Sequence, residues 1–221
     1  MEERKLVKTA DGSHTLYFSE LDEYYHSTKG AIQESVHVFI KNGYDYLSNS
    51  EETHILEVGF GTGLNALLTF RESKKSVKQI RYTAIDNYPL FSEIAEKLNY
   101  DKQLSSVSSN EFLDLHETSW DEWHKLTNQF MFRKLKTDLK FYRPDDNFEL
   151  IYFDAFAPDK QPEMWEEDIL KMMYSCLSIG GIFVTYSAKG LIKRRLKSIG
   201  FRVENLPGPP GKREMIRAIK D

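Results

Sequence analysis

The chain closes with FRVENL, PGPPGKR and EMIRAIK, residues 201 to 220, and this ending restricts the fold more than any other stretch. Both outer runs have the composition of β-strands. The link between them is too short for a parallel crossover, which needs about a dozen residues or more. The two strands must therefore run antiparallel. From residue 53 onward, short apolar runs alternate with helical segments: THILEVG, then GLNALLTFRES, then IRYTAID, then a helix expected to begin at Pro89. Residues 109 to 126 read as helical, FMFRKLKTD as a third strand and FELIYFDAF as a fourth. PEMWEEDILKMMYSCL reads as a helix, GGIFVTYS as a strand, and GLIKRRLKSIG as a helix ended by Gly200. Such alternation predicts a parallel sheet covered by helices. The sheet should finish on a reversed strand.

EVGFGTGLN, residues 57 to 65, joins the first of these strands to its helix. Gly59, Gly61 and Gly63 allow backbone to approach a ligand, and the helix start presents free N–H donors. A glycine-rich turn alone also fits a plain strand-to-helix connection. The spacing here is Gly-x-Gly-x-Gly, which differs from the dinucleotide pattern Gly-x-Gly-x-x-Gly. An α/β sheet with this loop and a reversed terminal strand resembles the class I S-adenosylmethionine-dependent methyltransferases, a Rossmann-like fold. That resemblance assigns cofactor contacts to Glu57, Gly59, Gly61, Thr62, Gly63, Asn65 and Asp86. Glu57 would meet the ammonium of the methionine moiety, and Asp86, ending the second strand, would accept from ribose hydroxyls. Asp138 either reaches the adenine amino group or is a solvated turn residue.

DAFAPDKQPEMW, residues 154 to 165, follows an apolar strand and begins with an acid. Ligands of open α/β sheets bind at the carboxyl ends of strands, so Asp154 would face the reactive end of the cofactor. Methyl transfer is an in-line displacement that depends on alignment, and an amine nucleophile needs a group to accept its proton. Asp154 can be that group, with Phe156 and Pro158 shaping a slot for a flat base. The other reading makes Asp154 a turn cap and Phe156 core. Trp165 shares a helical face with Ile169, Met172 and Met173 and is expected in the core.

Upstream, KLVKTADGSHTLYF predicts a hairpin turning at Asp11-Gly12, followed by a helix carrying Ile32, Val36, Phe39 and Ile40 and closed by Asn42-Gly43. Residues 1–50 are read as this N-terminal extension and 51–221 as the cofactor domain. His26, Ser27, Glu34 and Ser35 can close over the cofactor or act as caps and polar surface.

Net charge is −4 over 221 residues, so a polyanion would need a local patch. Lys189, Lys193, Arg194, Arg195 and Lys197, with Lys212, Arg213 and Arg217, offer one, although a solvated helix face explains the run equally well. Lys160 and Lys189 lie nearest the expected strand ends. The lone cysteine excludes an internal disulfide, no Cys/His spacing suggests a metal, and no signal peptide or membrane span is visible. A cytoplasmic location is expected.

EVGFGTGLN, DAFAPDKQPEMW and GPPGKREM together resemble the MnmC/MnmD-type methyltransferases of tRNA, and YYHSTKGAIQESVHVFI resembles the segment that precedes their cofactor domain. The resemblance implies S-adenosylmethionine-dependent methylation of the 5-aminomethyl group of 2-thiouridine at the wobble position of the tRNA anticodon loop. It is to the stand-alone form, because 221 residues leave no room for the FAD-dependent oxidase domain of the bifunctional proteins. The family is expected to favour glutamate where Asp86 stands. An NAD(P)-dependent oxidoreductase and a non-catalytic RNA-binding module are the alternatives.

Overall fold

The structure is a computed structural model and describes residues 4–47 and 52–221. Strands β1 (Arg4–Lys8), β2 (His14–Phe18) and β3 (Glu23–Tyr24) form a small antiparallel sheet. Helix α1 (Ala31–Ser35) continues as a wider π-helical turn over Val36–Lys41. The main body follows as β4 (Glu52–Val58), α2 (Leu64–Ser73), β5 (Gln79–Asp86), α3 (Ser92–Ala95), α4 (Tyr100–Gln103) and α5 (Ser109–Glu117). It continues through β6 (Trp123–Lys125), β7 (Phe130–Lys136), β8 (Phe148–Phe153), α6 (Glu167–Cys176) and β9 (Leu177–Thr185). Helix α7 (Gly190–Ile199), β10 (Phe201–Pro207) and β11 (Glu214–Lys220) complete it.

Among the described residues the main sheet has eight strands in the order β10-β11-β9-β8-β4-β5-β7-β6. Strands β4, β5, β7, β8 and β9 are parallel, while β11 runs antiparallel to both β9 and β10. The expected reversed strand therefore sits inside the edge, clamped between β9 and β10. Parallel strands covered on both faces read as continuous apolar runs, and LIYF in β8 is one. One apolar layer gathers Leu67, Tyr82 and Phe112, and the other gathers Leu170, Met173, Ile192 and Ile216. Leu16 and Phe39 from the N-terminal segment belong to the first layer, packed with the sheet. The boundary expected at residues 50 and 51 lies outside the described residues.

Gly200 ends α7 as expected, at φ 117°, a conformation that favours glycine. The hairpin turn also holds, with Gly12 at φ 87° and the Asp11 carboxylate accepting the Ser13 N–H at 3.0 Å. Three expectations need correction. The helix over 109–126 stops at Glu117, and Trp123–Lys125 instead pair with β7. Tertiary contact overrides local pattern there, because the Trp123 ring takes the Arg81 and Arg133 guanidiniums at 4.6 and 4.5 Å. Pro89 starts no helix; α3 begins at Ser92, and the Tyr88 N–H is drawn to Asp86 Oδ1 at 2.7 Å. The segment 162–177 is also not one helix, since Glu166 is extended (ψ 154°) between a 3₁₀ turn and α6. Trp165 is 1% exposed and donates from Nε1 to the Phe156 carbonyl at 2.8 Å, so it anchors the core as expected.

Candidate active site

The carboxyl ends of β4, β5 and β8 lie side by side, and the loop after β4 crosses them. Gly59, at φ 90°, allows a close approach: a Cβ there would lie 2.7 Å from the Asp154 carbonyl oxygen. At Gly61, a Cβ would lie 3.0 Å from the Tyr25 ring. Gly61 donates its N–H to Asp86 Oδ2 at 2.8 Å. Thr62 is fixed from three directions. Its hydroxyl meets His26 Nε2 at 2.7 Å and the Tyr100 hydroxyl at 3.2 Å, and its carbonyl meets His116 Nε2 at 3.1 Å. Burial pushes both imidazoles down to about 4, so they are neutral near pH 7.

A cavity of about 300 Å³ lies between this loop and the N-terminal hairpin. It brings together the expected residues Gly59, Gly61, Thr62, Asp86, Asp138, Asp154 and Phe156. Glu57, Gly63 and Asn65 are not in its lining; Glu57 and Asn65 are buried. Pro158 and Lys189 line a separate, open groove shared with Lys212 and Arg213, and Tyr186 borders both spaces. Lys160 pairs with Asp22 at 3.3 Å, and Arg195 donates to the Trp165 carbonyl at 2.6 Å. Arg194 is exposed on α7 and lines neither space. The basic run is thus divided: Lys193 meets Glu214 at 2.5 Å, Arg217 meets Glu204 at 2.8 Å, and Lys189 meets Asp159.

The acids carry the electrostatics. Asp154 keeps an open side toward the cavity, yet the surrounding protein strips it of water. Desolvation, reinforced by the charge of Glu34, pushes its carboxyl up to about 7, while a hydrogen bond from Asn65 Nδ2 at 2.8 Å and the charge of Lys212 oppose this. Burial pushes Glu57 well above its ordinary range, with Asp154 and Asp86 adding like charge. Tyr82 and Asn65 lie close enough to favour the charged form of Glu57, but neither completes a well-aligned hydrogen bond to its two buried oxygens. Asp86 is raised by desolvation and held down in part by N–H bonds from Gly61 and Tyr88. Asp138 caps its own turn by accepting the Lys140 N–H at 2.9 Å. Buried acids short of partners favour a cationic ligand. A pyrophosphate would meet these acids and find the Gly61 N–H already taken.

Sequence reasoning missed Arg4, Tyr25 and Tyr186, which line the cavity from the hairpin and from the end of β9. These are contacts across sequence separations that no local motif carries. It also missed the pairing of Lys212 with Glu34 at 2.5 Å.

The model of the S-adenosyl-L-methionine-dependent methyltransferase family Methyltransf_30 matches residues 111–221, half of the chain. The chain belongs to this methyltransferase family. S-adenosyl-L-methionine is accordingly the cofactor of this methyltransferase, and the cavity fits it: Asp86, Asp138 and the raised Asp154 line it and offer acceptors to a cation and to hydroxyls, while Gly59 and Gly61 let the loop pack close against Asp154 and Tyr25. Two curated relatives are tRNA 5-methylaminomethyl-2-thiouridine biosynthesis bifunctional proteins MnmC. That of Leptospira borgpetersenii (strain JB197) is 31% identical over 88% of this chain and 32% of its own length. That of Marinomonas sp. (strain MWYL1) is 28% identical over 89% of this chain and 31% of its own length. The methyltransferase therefore spans about a third of the curated relatives it matches. The crystal structure of MNMC2 from Aquifex aeolicus superposes with a TM-score of 0.82 at 22% identity, covering 100% of this chain and 71% of that one. It shares the fold. Among the described residues no helix is long and apolar enough to cross a membrane, and no cluster of three or more His, Cys, Asp or Glu could hold a metal.

Proposed function

We propose that this methyltransferase methylates the amine of the 5-aminomethyl group of wobble (2-thio)uridine in tRNA, in the cytoplasm, giving the 5-methylaminomethyl product. The observation that carries this reading is Asp154, a strand-end carboxyl facing the cavity with a proton affinity matched to neutral pH. The names of the MnmC relatives supply the substrate class.

When bound, S-adenosyl-L-methionine supplies an electrophilic methyl group on a sulfonium. The β4–α2 loop with Gly59, Gly61 and Thr62 would cradle it, Asp86 and Asp138 would accept from ribose and adenine, and Glu57, buried behind the cavity lining, would supply counter-charge for its ammonium. Gly63 and Asn65 act from behind, starting α2 and orienting Asp154. Asp154, as carboxylate, accepts an N–H bond from the substrate amine and then the proton that the nitrogen sheds. Phe156 packs edge-on against Tyr25 at 5.1 Å and forms the apolar wall for the base.

The base enters past Tyr186 from the open groove lined by Pro158, Lys189, Lys212 and Arg213, in which Arg213 meets the loop backbone and Lys189 and Lys212 are held by Asp159 and Glu34. A wobble base lies in a single-stranded loop and can be splayed out without breaking a duplex. Arg194 adds an exposed cation on α7. Lys160 and Arg195 are engaged internally, and an RNA phosphate would have to displace Asp22 or the Trp165 carbonyl.

The test is nucleoside analysis after incubating the protein, S-adenosyl-L-methionine and tRNA bearing 5-aminomethyl-2-thiouridine. The expected product is 5-methylaminomethyl-2-thiouridine in that tRNA alone. Methylation of another nucleoside, or none, refutes the substrate assignment.

A further inference from the structure

The charged side chains that line the open groove beyond Tyr186 are Lys189, Lys212, Arg213 and Glu214. Most are answered within the protein: Lys189 by Asp159, Lys212 by Glu34 at 2.5 Å and Glu214 by Lys193 at 2.5 Å. The exposed Arg213 guanidinium has neither a hydrogen bond nor an ion pair among the described residues. Ser187 lines the same groove and is 5% exposed. Its N–H is bound to the Thr185 hydroxyl at 3.3 Å, but its own hydroxyl makes no hydrogen bond to any described residue. Leaving a buried hydroxyl without a partner is destabilising, which points to a ligand that supplies one.

Helix α7 begins two residues on, with Lys189 as its N-cap. No side chain caps it, its first turn carries no acid, and its first ladder bond runs from the Lys193 N–H to the Lys189 carbonyl at 3.1 Å. The N–H groups of Gly190, Leu191 and Ile192 precede that bond and add partial positive charge beside Ala188 and Lys189, which line the groove. Arg194 folds back over this turn: a Cβ on Gly190 would lie 3.3 Å from its Nη1. A buried hydroxyl, an unpaired guanidinium and an uncapped helix start therefore meet in one groove.

We propose that this groove is a phosphate seat for the substrate RNA: the Ser187 hydroxyl and the Arg213 guanidinium donate to the non-bridging oxygens of a phosphodiester beside the target nucleotide, at the start of α7. The proposal rests on the RNA-substrate reading given above. Tyr186 borders both cavity and groove, and it donates its hydroxyl to the Ala155 carbonyl at 2.9 Å, next to Asp154. A ligand whose flat base fills the cavity thus places its anion across a single side chain, as a nucleotide does. Lys189 and Lys212 are engaged by acids of their own and leave the seat to Ser187 and Arg213. Phosphate contacts position a nucleic acid without reading its sequence, so the seat fixes how deeply the base reaches toward Asp154.

The experiment measures binding of an anticodon stem-loop RNA in which each loop phosphate in turn is replaced by an uncharged methylphosphonate. Wild type, Ser187→Ala and Arg213→Met are compared. With the unsubstituted RNA, each variant should bind roughly 5- to 10-fold more weakly than wild type. Arg213→Met should flatten the slope of log K against log salt by about 0.7, whereas Ser187→Ala removes no charge and should keep the wild-type slope. One methylphosphonate position should weaken wild-type binding by roughly 10-fold, and there both variants should show little further loss. Affinity for S-adenosyl-L-methionine should not change, since neither residue lines the cavity. Ser187→Ala should match or exceed wild type in thermal stability, which a hydroxyl with a structural role would not allow. Losses that add at every phosphate position, or a Ser187→Ala protein that binds the RNA as wild type does, overturn the proposal even if the tRNA is methylated. A coupled phosphate position in an aminomethylated RNA that is never methylated overturns the substrate reading instead and leaves the seat standing.

Discussion

At the β5 and β7 end of the cavity, Asp86 and Asp138 accept backbone N–H bonds, from Gly61 and Tyr88 in one case and Lys140 in the other. At the β4 and β8 end, neither oxygen of Glu57, buried behind the cavity, has a hydrogen-bond partner, and Asp154 accepts a hydrogen bond from the Asn65 side-chain amide. The first pair uses its charge to shape loops, which suits recognition of a neutral sugar and base. The second pair holds carboxyls in protein with little to balance them, which suits a cationic sulfonium, an ammonium and an amine losing a proton.

The largest break in this contrast should come at Asp154. Asp154→Asn keeps the shape and removes the proposed proton acceptor, so the methyl-transfer rate should fall by about a thousandfold while cofactor affinity changes little. Rapid-quench kinetics beside equilibrium binding separates the two, and equal losses in both would remove Asp154 from the proton-accepting role. Because its carboxyl titrates at about 7, the wild-type rate should rise with pH through that region. A bound sulfonium would move the limb lower, since positive charge favours the carboxylate.

Glu57→Gln should weaken cofactor binding by roughly 10- to 100-fold, the loss of one charge-assisted bond. The free protein should respond in the opposite sense. A buried carboxyl raised above its unfolded value holds its proton in the folded state, so its contribution to stability falls as pH rises above the ordinary range near 4.5. Thermal unfolding at pH 8 should therefore show Glu57→Gln more stable than wild type. Lower stability there would mean that Glu57 has partners in the free protein.

Smaller effects belong to the other end. Asp86→Asn should cost roughly 5- to 10-fold in cofactor affinity, because one carboxylate oxygen facing a backbone N–H becomes an amide. Asp138→Ala should cost about threefold or less, since its bond serves a local turn. A larger loss at Asp138 than at Glu57, measured by the same titration, would invert the proposed division. Acid should act on the loop between them. His26 and His116, whose imidazoles burial pushes down to about 4, give stability that is complete above 6.5 and lost as pH falls toward 4. Denaturant unfolding across that window checks the sign, and His26→Asn should flatten it.

Sequence carried the sheet because its signals are local: a short link forced β10 and β11 into opposition, and strand-end residues such as Asp86 and Asp154 landed where an open α/β sheet places its ligands. It failed where distant contacts decide. Nothing near Trp123 announces the guanidiniums that draw it into β6, and nothing near Pro89 shows that Asp86 holds the Tyr88 N–H. In the basic run, charge was legible but engagement was not. Lys160 and Arg195 are tied to Asp22 and the Trp165 carbonyl, whereas Lys212, on a proline-rich link, reaches the cavity wall. The hairpin was expected over residues 5–18, but Arg4, just before it, and Tyr25, beyond it, were not expected in the site, because residues that face the cavity there are set by packing between distant segments.

The contrast between the two ends is tested most directly by counting protons. Calorimetric titration of S-adenosyl-L-methionine at pH 7, in buffers of different ionisation enthalpy, gives the protons exchanged on binding. A carboxyl titrating at about 7 is close to half protonated there, so wild type should release roughly half a proton more than Asp154→Asn as the sulfonium arrives. Identical proton counts for the two proteins would contradict the assignment of Asp154 as the under-partnered acid that faces the reacting centre.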